Sequence, residues 1–372
     1  MTQPRLETVS SPLTDASLGE VEPEWRSIEA GTMPPPYLTL AWNKSWISVY
    51  KPRGLTLVRV LERDSEQVVA LGLLEQLSLR RLRFAGSPVT PIRGLLCRSG
   101  REAEAWLAIA DWVGIRRSRW RWVGATGIGA DDGAMPGAVA LPGAVALPLP
   151  WFVVELPESF EDYLGGLDSS PRREFRRRMR VADREGAVTM TLARGEADAG
   201  LEAFVRLHRA RAKAKRELHP AIDERLLRML KRVVAQGQPD VRVTAVEREG
   251  QTLAAAIRIY HHDTCWFYNT GFDPSAARLS PGLLVQLHSI REAIDEGLRW
   301  ADLGQGDFAY KRALGGRPIN RMKLDLTSPS AAGRAMRWAS MFRQHAEQSP
   351  RLRAAARAAR RTMLDRKQSL SG

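Results

Sequence analysis

The sequence predicts an α/β protein in two domains, on three observations. Runs with a repeat near 2 alternate along the chain with runs of helical period. Three strand-like runs, Val241–Glu247, Thr252–Tyr260 and Thr264–Thr270, follow one another with only turns between them, which reads as an antiparallel meander. The chain has 372 residues, more than the roughly 100 to 200 of one ordinary core.

From the N-terminus, residues 1–24 are polar and without period and are expected to be a disordered leader. Residues 25–150 form the first expected domain, with strands at Leu55–Leu61, Val68–Leu77 and Leu82–Phe84, a helix at Glu102–Val113 and a strand at Arg119–Val123. Residues 130–150, which contain PGAVAL twice in succession, are expected to be a loop, since the repeat is too short for a structural unit. The second domain, 151–329, opens with a strand at Phe152–Leu156 and a helix at Phe160–Leu167. Ser170 is the expected N-cap of a helix with Pro171 at its first position, ending at Gly186. A strand at Val188–Ala193 and amphipathic helices at Leu201–Glu217 and Glu224–Gln236 precede the meander, whose first turn is Glu249-Gly250. A helix at Gly282–Glu296, a strand at Arg299–Leu303, a helical turn at Phe308–Leu314 and a strand at Met322–Leu326 complete it, and residues 330–372 are an expected basic helical tail.

Composition excludes several classes. Hydrophobic residues make up 44% and charged residues 26%, as in a folded globular chain. Cys97 and Cys265 have no partner at metal-binding spacing, so neither structural zinc nor a disulfide framework is expected. No apolar run reaches the roughly 20 residues of a membrane-spanning helix, and the polar start lacks a secretory pattern, so the expected location is cytoplasmic. The net charge of +14 is clustered: residues 331–372 hold ten Arg and Lys against Glu347 and Asp365, and Arg172–Arg184 and Arg206–Arg232 are also Arg-rich. Such runs suit nucleic acid, an anionic membrane surface or a phosphorylated substrate, and on helices are most often solvated faces.

Two segments carry chemistry. Ser280-Pro-Gly282 combines a cap, a residue suited to the first helical position and a glycine that lets a ligand approach, so the helix start can hold an anion with help from Arg278; it also suits a helix start with no ligand. Trp300-Ala-Asp-Leu-Gly-Gln-Gly-Asp-Phe-Ala-Tyr-Lys311 ends a strand in a Gly-rich turn and places Asp307 three and four residues before Tyr310 and Lys311, on one helical face. These are parts for proton transfer and anion binding, or alternatively a local Asp307–Lys311 ion pair. Asp302 alternates on the preceding strand toward the same cleft, and Trp266 and Tyr268 share one face of theirs.

The order Tyr268-Asn-Thr-Gly-Phe-Asp-Pro274, then Ala277-Arg-Leu-Ser-Pro-Gly282, then the Trp300–Lys311 segment resembles the C-terminal half of the BioF2-like or CelD (BcsL) acyltransferases, a branch of the GNAT superfamily related to the FemABX aminoacyl transferases. The resemblance covers about residues 150–326 and, more weakly, 34–90. It implies two GNAT-like domains, each a mixed, mostly antiparallel sheet flanked by helices, and acyl transfer from acetyl-CoA or another acyl-CoA to an amine or hydroxyl of a small molecule or glycan precursor. Tyr268, Asn269, Arg278, Ser280 and Gly282 are then expected to hold the donor, Trp266, Asp273 and Asp302 the acceptor, and Asp307, Tyr310 and Lys311 to act in catalysis, without a metal. Pro281 and Leu283 stand where acetyl-CoA users of the superfamily carry small residues, which leaves an aminoacyl-tRNA donor as an alternative. A basic scaffold on a degenerate transferase fold is another.

Overall fold

The computed structural model describes residues 5–78, 81–115, 122–129, 144–215 and 222–327, together with Ala331, Arg334, Ala335 and Trp338 in helical conformation. The first structural unit runs β1 (Leu6–Pro12), α1 (Asp15–Ala30), α2 (Leu40–Tyr50), β2 (Leu55–Glu62), β3 (Val68–Ser78), β4 (Arg81–Phe84), β5 (Leu96–Cys97), α3 (Glu102–Ile115) and β6 (Trp122–Gly129). The second runs β7 (Ala144–Glu155), α4 (Phe160–Gly166), α5 (Ser169–Arg184), β8 (Val188–Thr191), α6 (Ala197–Lys215), α7 (Glu224–Gln236), β9 (Asp240–Arg248), β10 (Gln251–His261), β11 (Thr264–Phe272), α8 (Pro281–Asp295), β12 (Trp300–Gln305), α9 (Ala309–Ala313) and β13 (Arg317–Thr327).

The expected disordered leader is corrected. β1 pairs antiparallel with β2, and Thr14 and Ser17 cap α1 reciprocally, at 3.1 Å (Ser17 N to Thr14 Oγ1) and 2.8 Å (Thr14 N to Ser17 Oγ). Apolar residues are sparse in this stretch, but Leu18, Val21, Trp25 and Ile28 fall on one helical face and are buried. The expected loop is corrected in part: 130–143 lie outside the described residues, and 144–150 are strand, part of β7. Its prolines sit between partners where the alternation of Val145 and Leu147 still turns apolar side chains inward. The expected cap of α5 moves back two residues, to Asp168. Residues 119–121 and nearly all of the basic tail lie outside the described residues.

The strands form one sheet in the order β1-β2-β3-β4-β6-β13-β7-β12-β11-β10-β9-β8, with β5 on β3. The order of elements repeats. Each unit has an edge strand, two helices, a three-stranded antiparallel meander, a crossover helix and a strand parallel to the last of the meander: β2-β3-β4, α3, β6 and then β9-β10-β11, α8, β12. The expected boundary near residue 150 falls inside β7, which pairs with β13 along Ala144–Val153 and with β12 along Trp151–Glu155.

One face of the sheet is covered by α1, α2, α6 and α7, the other by α3 on the first unit and by α4, α5 and α8 on the second. Each large apolar side chain buried there contributes roughly 1.5–3 kcal/mol. Trp106 and Trp112 pack the first unit, whereas Trp151 lies at the centre of the sheet.

Candidate active site

The two parallel strand pairs, β4 with β6 and β11 with β12, are both short. Arg81–Arg83 pair with Trp122–Gly124, and Thr264–Trp266 with Trp300–Asp302. In the first unit the space beyond is filled: Arg93 and Thr126 exchange backbone hydrogen bonds of 2.9 and 3.0 Å, and Ile92 sits where a side chain on Gly127 would stand. In the second unit the ladder stops at Trp266 and Asp302 although β11 continues to Phe272 and β12 to Gln305. A bulge adds to the separation, because Ile257 faces Asn269 and Arg258 faces Phe267, leaving Tyr268 as the extra residue. Splayed strands present unpaired backbone N–H and C=O groups, the partners an extended ligand needs. This wedge is the candidate site.

At one side of it stands the start of α8. Ser280 does not cap the helix as expected: it is left-handed (φ 53°), and its hydroxyl donates weakly to the Ala277 carbonyl at 3.4 Å. Its carbonyl accepts from Leu283 N at 2.8 Å and Leu284 N at 3.2 Å. Since Pro281 has no N–H, Gly282 keeps the one first-turn amide without an acceptor among the described residues. The cations around it do more of the work available: Arg178 donates to the Arg278 carbonyl at 2.7 Å, Arg278 is 85% exposed and pairs with Glu185 at 3.1 Å, and Arg211 lies 5.0 Å over the Phe272 ring with its Nε buried and unpartnered.

At the other side, the expected trio of Asp307, Tyr310 and Lys311 is not brought together. Asp307 pairs on the surface with Arg312, at 2.9 and 3.2 Å, and not with Lys311. Tyr310 is 48% exposed and lies near-parallel to Phe308. Lys311 turns inward, 1% exposed, and its Nζ donates to the carbonyls of Gly304 and Gln305, each at 2.7 Å. Burial lowers this amine to about 8. Lys311 thus clamps the turn that ends β12, where Gly304 has φ +75°, a conformation that favours glycine. Asp273 is also structural: it accepts from Ser275 N at 2.8 Å and Ser275 Oγ at 2.7 Å, capping the short turn after β11. Tyr268 points into the first unit, its hydroxyl donating to the Val89 carbonyl at 2.8 Å, and the Asn269 side chain accepts from Thr270 N at 2.8 Å.

Asp302 and Trp266 are register partners at the apex of the wedge, both buried. Asp302 Oδ1 accepts from Trp151 Nε1 at 2.7 Å and from Gly304 N at 2.8 Å. Its Oδ2 receives no hydrogen bond among the described residues, and the nearest cation, Arg321 Nη2, is 4.0 Å away. Burial raises the Asp302 carboxyl above the usual range, with Arg321 opposing. Tyr37, from the turn before α2, packs edge-on against Trp266 with ring centroids 5.7 Å apart.

Sequence reasoning missed Arg258, Tyr37, Arg321 and Trp151. Arg258 is fully buried in β10, with Nε to Ser289 Oγ at 2.9 Å, Nη2 to Gln286 Oε1 at 2.8 Å, and its guanidinium 4.0 Å from the Phe267 ring centroid. It ties α8 to the meander beside the wedge. Burial lowers it to about 10. A lone Arg inside the apolar run Ala254–Tyr260 was the available signal.

A mixed sheet of two repeated units, with one wedge closed and the other open, defines the fold of a GNAT-type acyltransferase. Residues 169–312, the part that holds the open wedge, match the model of the acetyltransferase (GNAT) domain, and the chain is an acyltransferase. Among solved structures the chain is similar to FemX (13% identity, TM-score 0.60, covering 86% of this chain and 98% of that one). It is also similar to a tandem GNAT protein from the clavulanic acid biosynthesis pathway (17% identity, TM-score 0.52, 87% and 99%). A third likeness is to the C-terminal domain of a putative lysylphosphatidylglycerol synthetase from Agrobacterium fabrum (9% identity, TM-score 0.53, 87% and 96%). At these identities the likeness is one of fold. No curated protein matches the chain.

Proposed function

We propose that the protein moves an acyl group from acyl-CoA, or a similar thioester, to the amine or hydroxyl of a small molecule or glycan precursor in the cytoplasm, as the BioF2-like resemblance implies. The observation that carries this reading is the open wedge between β11 and β12 within the matched domain. In this reading the acyl arm lies along the free edge of Phe267–Thr270, and the donor's phosphates lie against Gly282 N–H, Arg178, Arg211 and Arg278. The 151–329 half carries the chemistry and the first half, 25–150 with β1 and α1 added, walls the acceptor side. No covalent enzyme intermediate is required: the acceptor attacks the thioester carbonyl, and backbone N–H groups at the wedge stabilise the oxyanion that develops.

Titration with acetyl-CoA and longer acyl-CoAs tests it. A ligand at a hundred times its Kd raises stability by about 2.7 kcal/mol, and replacing Arg211 by Ala is expected to weaken the effect at least tenfold. Failure of every acyl-CoA to raise the melting temperature sinks the thioester donor. A second donor, aminoacyl-tRNA, is favoured by α5, where Arg173, Arg180 and Arg184 are exposed and carry no ion pair among the described residues. RNA retained through purification and released by salt selects it. The basic tail, 330–372, would serve the same polyanion or an anionic membrane surface.

A further inference from the structure

The cluster at the apex of the wedge is built as a binding site that the fold alone does not require. Four polar groups there make no hydrogen bond among the described residues. Trp266 Nε1 and Arg321 Nε are buried donors with no acceptor. Among the described residues the Tyr37 hydroxyl makes no hydrogen bond, although its residue is 3% exposed, and Asp302 Oδ2 accepts none, meeting only the Arg321 guanidinium at 4.0 Å. Leaving one such group unsatisfied costs roughly 1–3 kcal/mol, so a molecule that supplies the complements is bound strongly. The rings of Trp151 and Trp266 lie 5.0 and 6.0 Å from the Arg321 guanidinium, and its Nη1 is committed to the Gly127 carbonyl at 2.8 Å.

Resting on the acyl-transfer reading, we propose that this cluster is the acceptor site, that the acceptor is a primary amine carrying an oxygen function, and that Asp302 is its proton acceptor. The location follows from the two faces of the sheet. α8, where the donor's phosphates are assigned, covers the face opposite to that of Trp266, Trp151 and Tyr37. Donor and acceptor therefore approach from opposite faces and meet where the strands part, beside Asp302. Three donors and one carboxylate oxygen dictate the ligand's chemistry. Its ammonium faces Asp302 Oδ2 and the aromatic rings, and its oxygen accepts from Arg321 Nε, Trp266 Nε1 and the Tyr37 hydroxyl. A bare hydroxyl compound offers the carboxylate no second cation beside Arg321.

In the reaction the nitrogen gives one proton to solvent as the ammonium becomes an amine. Its lone pair attacks the thioester carbonyl, the N–C bond forms and the C–S bond breaks. The second proton passes from nitrogen to Asp302 and on to the departing sulfur, so that amide and thiol are released and Asp302 is again ionised. The charged and titratable groups facing Asp302 are Arg321 from β13, Lys311 from α9 and Tyr37 from the first unit.

The test compares wild type with Asp302→Asn, a shape-conserving change that keeps an oxygen for Trp151 Nε1 and Gly304 N. Tryptophan fluorescence is titrated with glucosamine, β-alanine, propylamine, glucose and propionate, and thiol release from acetyl-CoA is followed with each. Glucosamine or β-alanine is expected to perturb the fluorescence and drive thiol release, with glucose and propionate at least tenfold weaker. Asp302→Asn is expected to lose at least a hundredfold in kcat/KM, and the acidic limb of the pH profile, with acetyl-CoA binding unchanged. The proposal is overturned if Asp302→Asn stays within threefold of wild type, if glucose outperforms glucosamine, or if no amine perturbs the fluorescence. The fluorescence arm needs no donor, so its result is separate from failure of acetyl-CoA to bind.

Discussion

Asp302 and Lys311 are ionisable groups that the interior holds at a cost, and the cost has a sign in pH. For Lys311 the folded value is about 8 against an ordinary 10.5, so between these the unfolded chain carries more protons and stability rises as pH rises through the window. Urea unfolding between pH 7 and 10 is expected to show this increment in wild type and to lack it in Lys311→Met. That variant also loses the clamp on the Gly304 and Gln305 carbonyls and is expected to be less stable by about 1–3 kcal/mol. Asp302 has the opposite sense: its folded value is raised, so its stability contribution is present at low pH and is lost as pH rises from the ordinary carboxylate range through the raised value. Asp302→Asn is therefore expected to melt at or above the wild-type temperature at pH 7 while losing activity, a combination that thermal unfolding beside a turnover assay checks. These residues also mark how far the site was legible. Asp302 and Trp266 were found by strand alternation, but Arg321, Trp151 and Tyr37 reach them from three other elements, and only tertiary pairing assembles the group. Asp307 and Lys311 were misread together because helical spacing alone does not say which of Lys311 and Arg312 takes the carboxylate.

Among the elements, β11 is the most constrained, since one edge is paired with β10, the other opens on the wedge, and α6 crosses it closely. A side chain on Gly271 would stand 2.7 Å from His208 N and 2.8 Å from the Phe204 carbonyl, both backbone atoms that cannot move without shifting the helix. Gly271→Ala is expected to destabilise by about 1–3 kcal/mol and to weaken donor binding along with stability; denaturant unfolding and acyl-CoA titration measure the two. Where local signals agreed, the sequence reading matched the fold: α7 spans Glu224–Gln236 as expected, with Asp223 capping its first turn at 3.0 Å and Gly237 left-handed at its end. It failed at β1 and α1, where a short edge strand and Pro23 within a mostly polar helix dilute both periods. Their stability comes from β2 and from a buried stripe of four side chains, contacts that composition does not report.

At the scale of the molecule, the repeated units are joined through strands from the two ends of the second half of the chain. β13, the last described strand, lies between β6 of the first unit and β7, pairing Arg321–Thr327 with one and Arg317–Leu326 with the other. Leu324 and Leu326 are buried against the first unit, and Arg321 places the Asp302 cluster between the two. A chain ending at Gly316 would leave β6 and β7 with unpaired edges in the middle of the sheet and the cluster without its guanidinium. It is expected to be recovered unfolded or aggregated. A chain ending at Thr327 keeps every pairing of the sheet, so it is expected to unfold cooperatively within a few degrees of the full chain and to retain the acyl-CoA-induced rise in melting temperature. Circular dichroism melts of the two truncations decide the matter: a folded, donor-binding chain ending at Gly316 would show that the second unit stands without its central strand, and would remove Arg321 from any part in holding the acceptor.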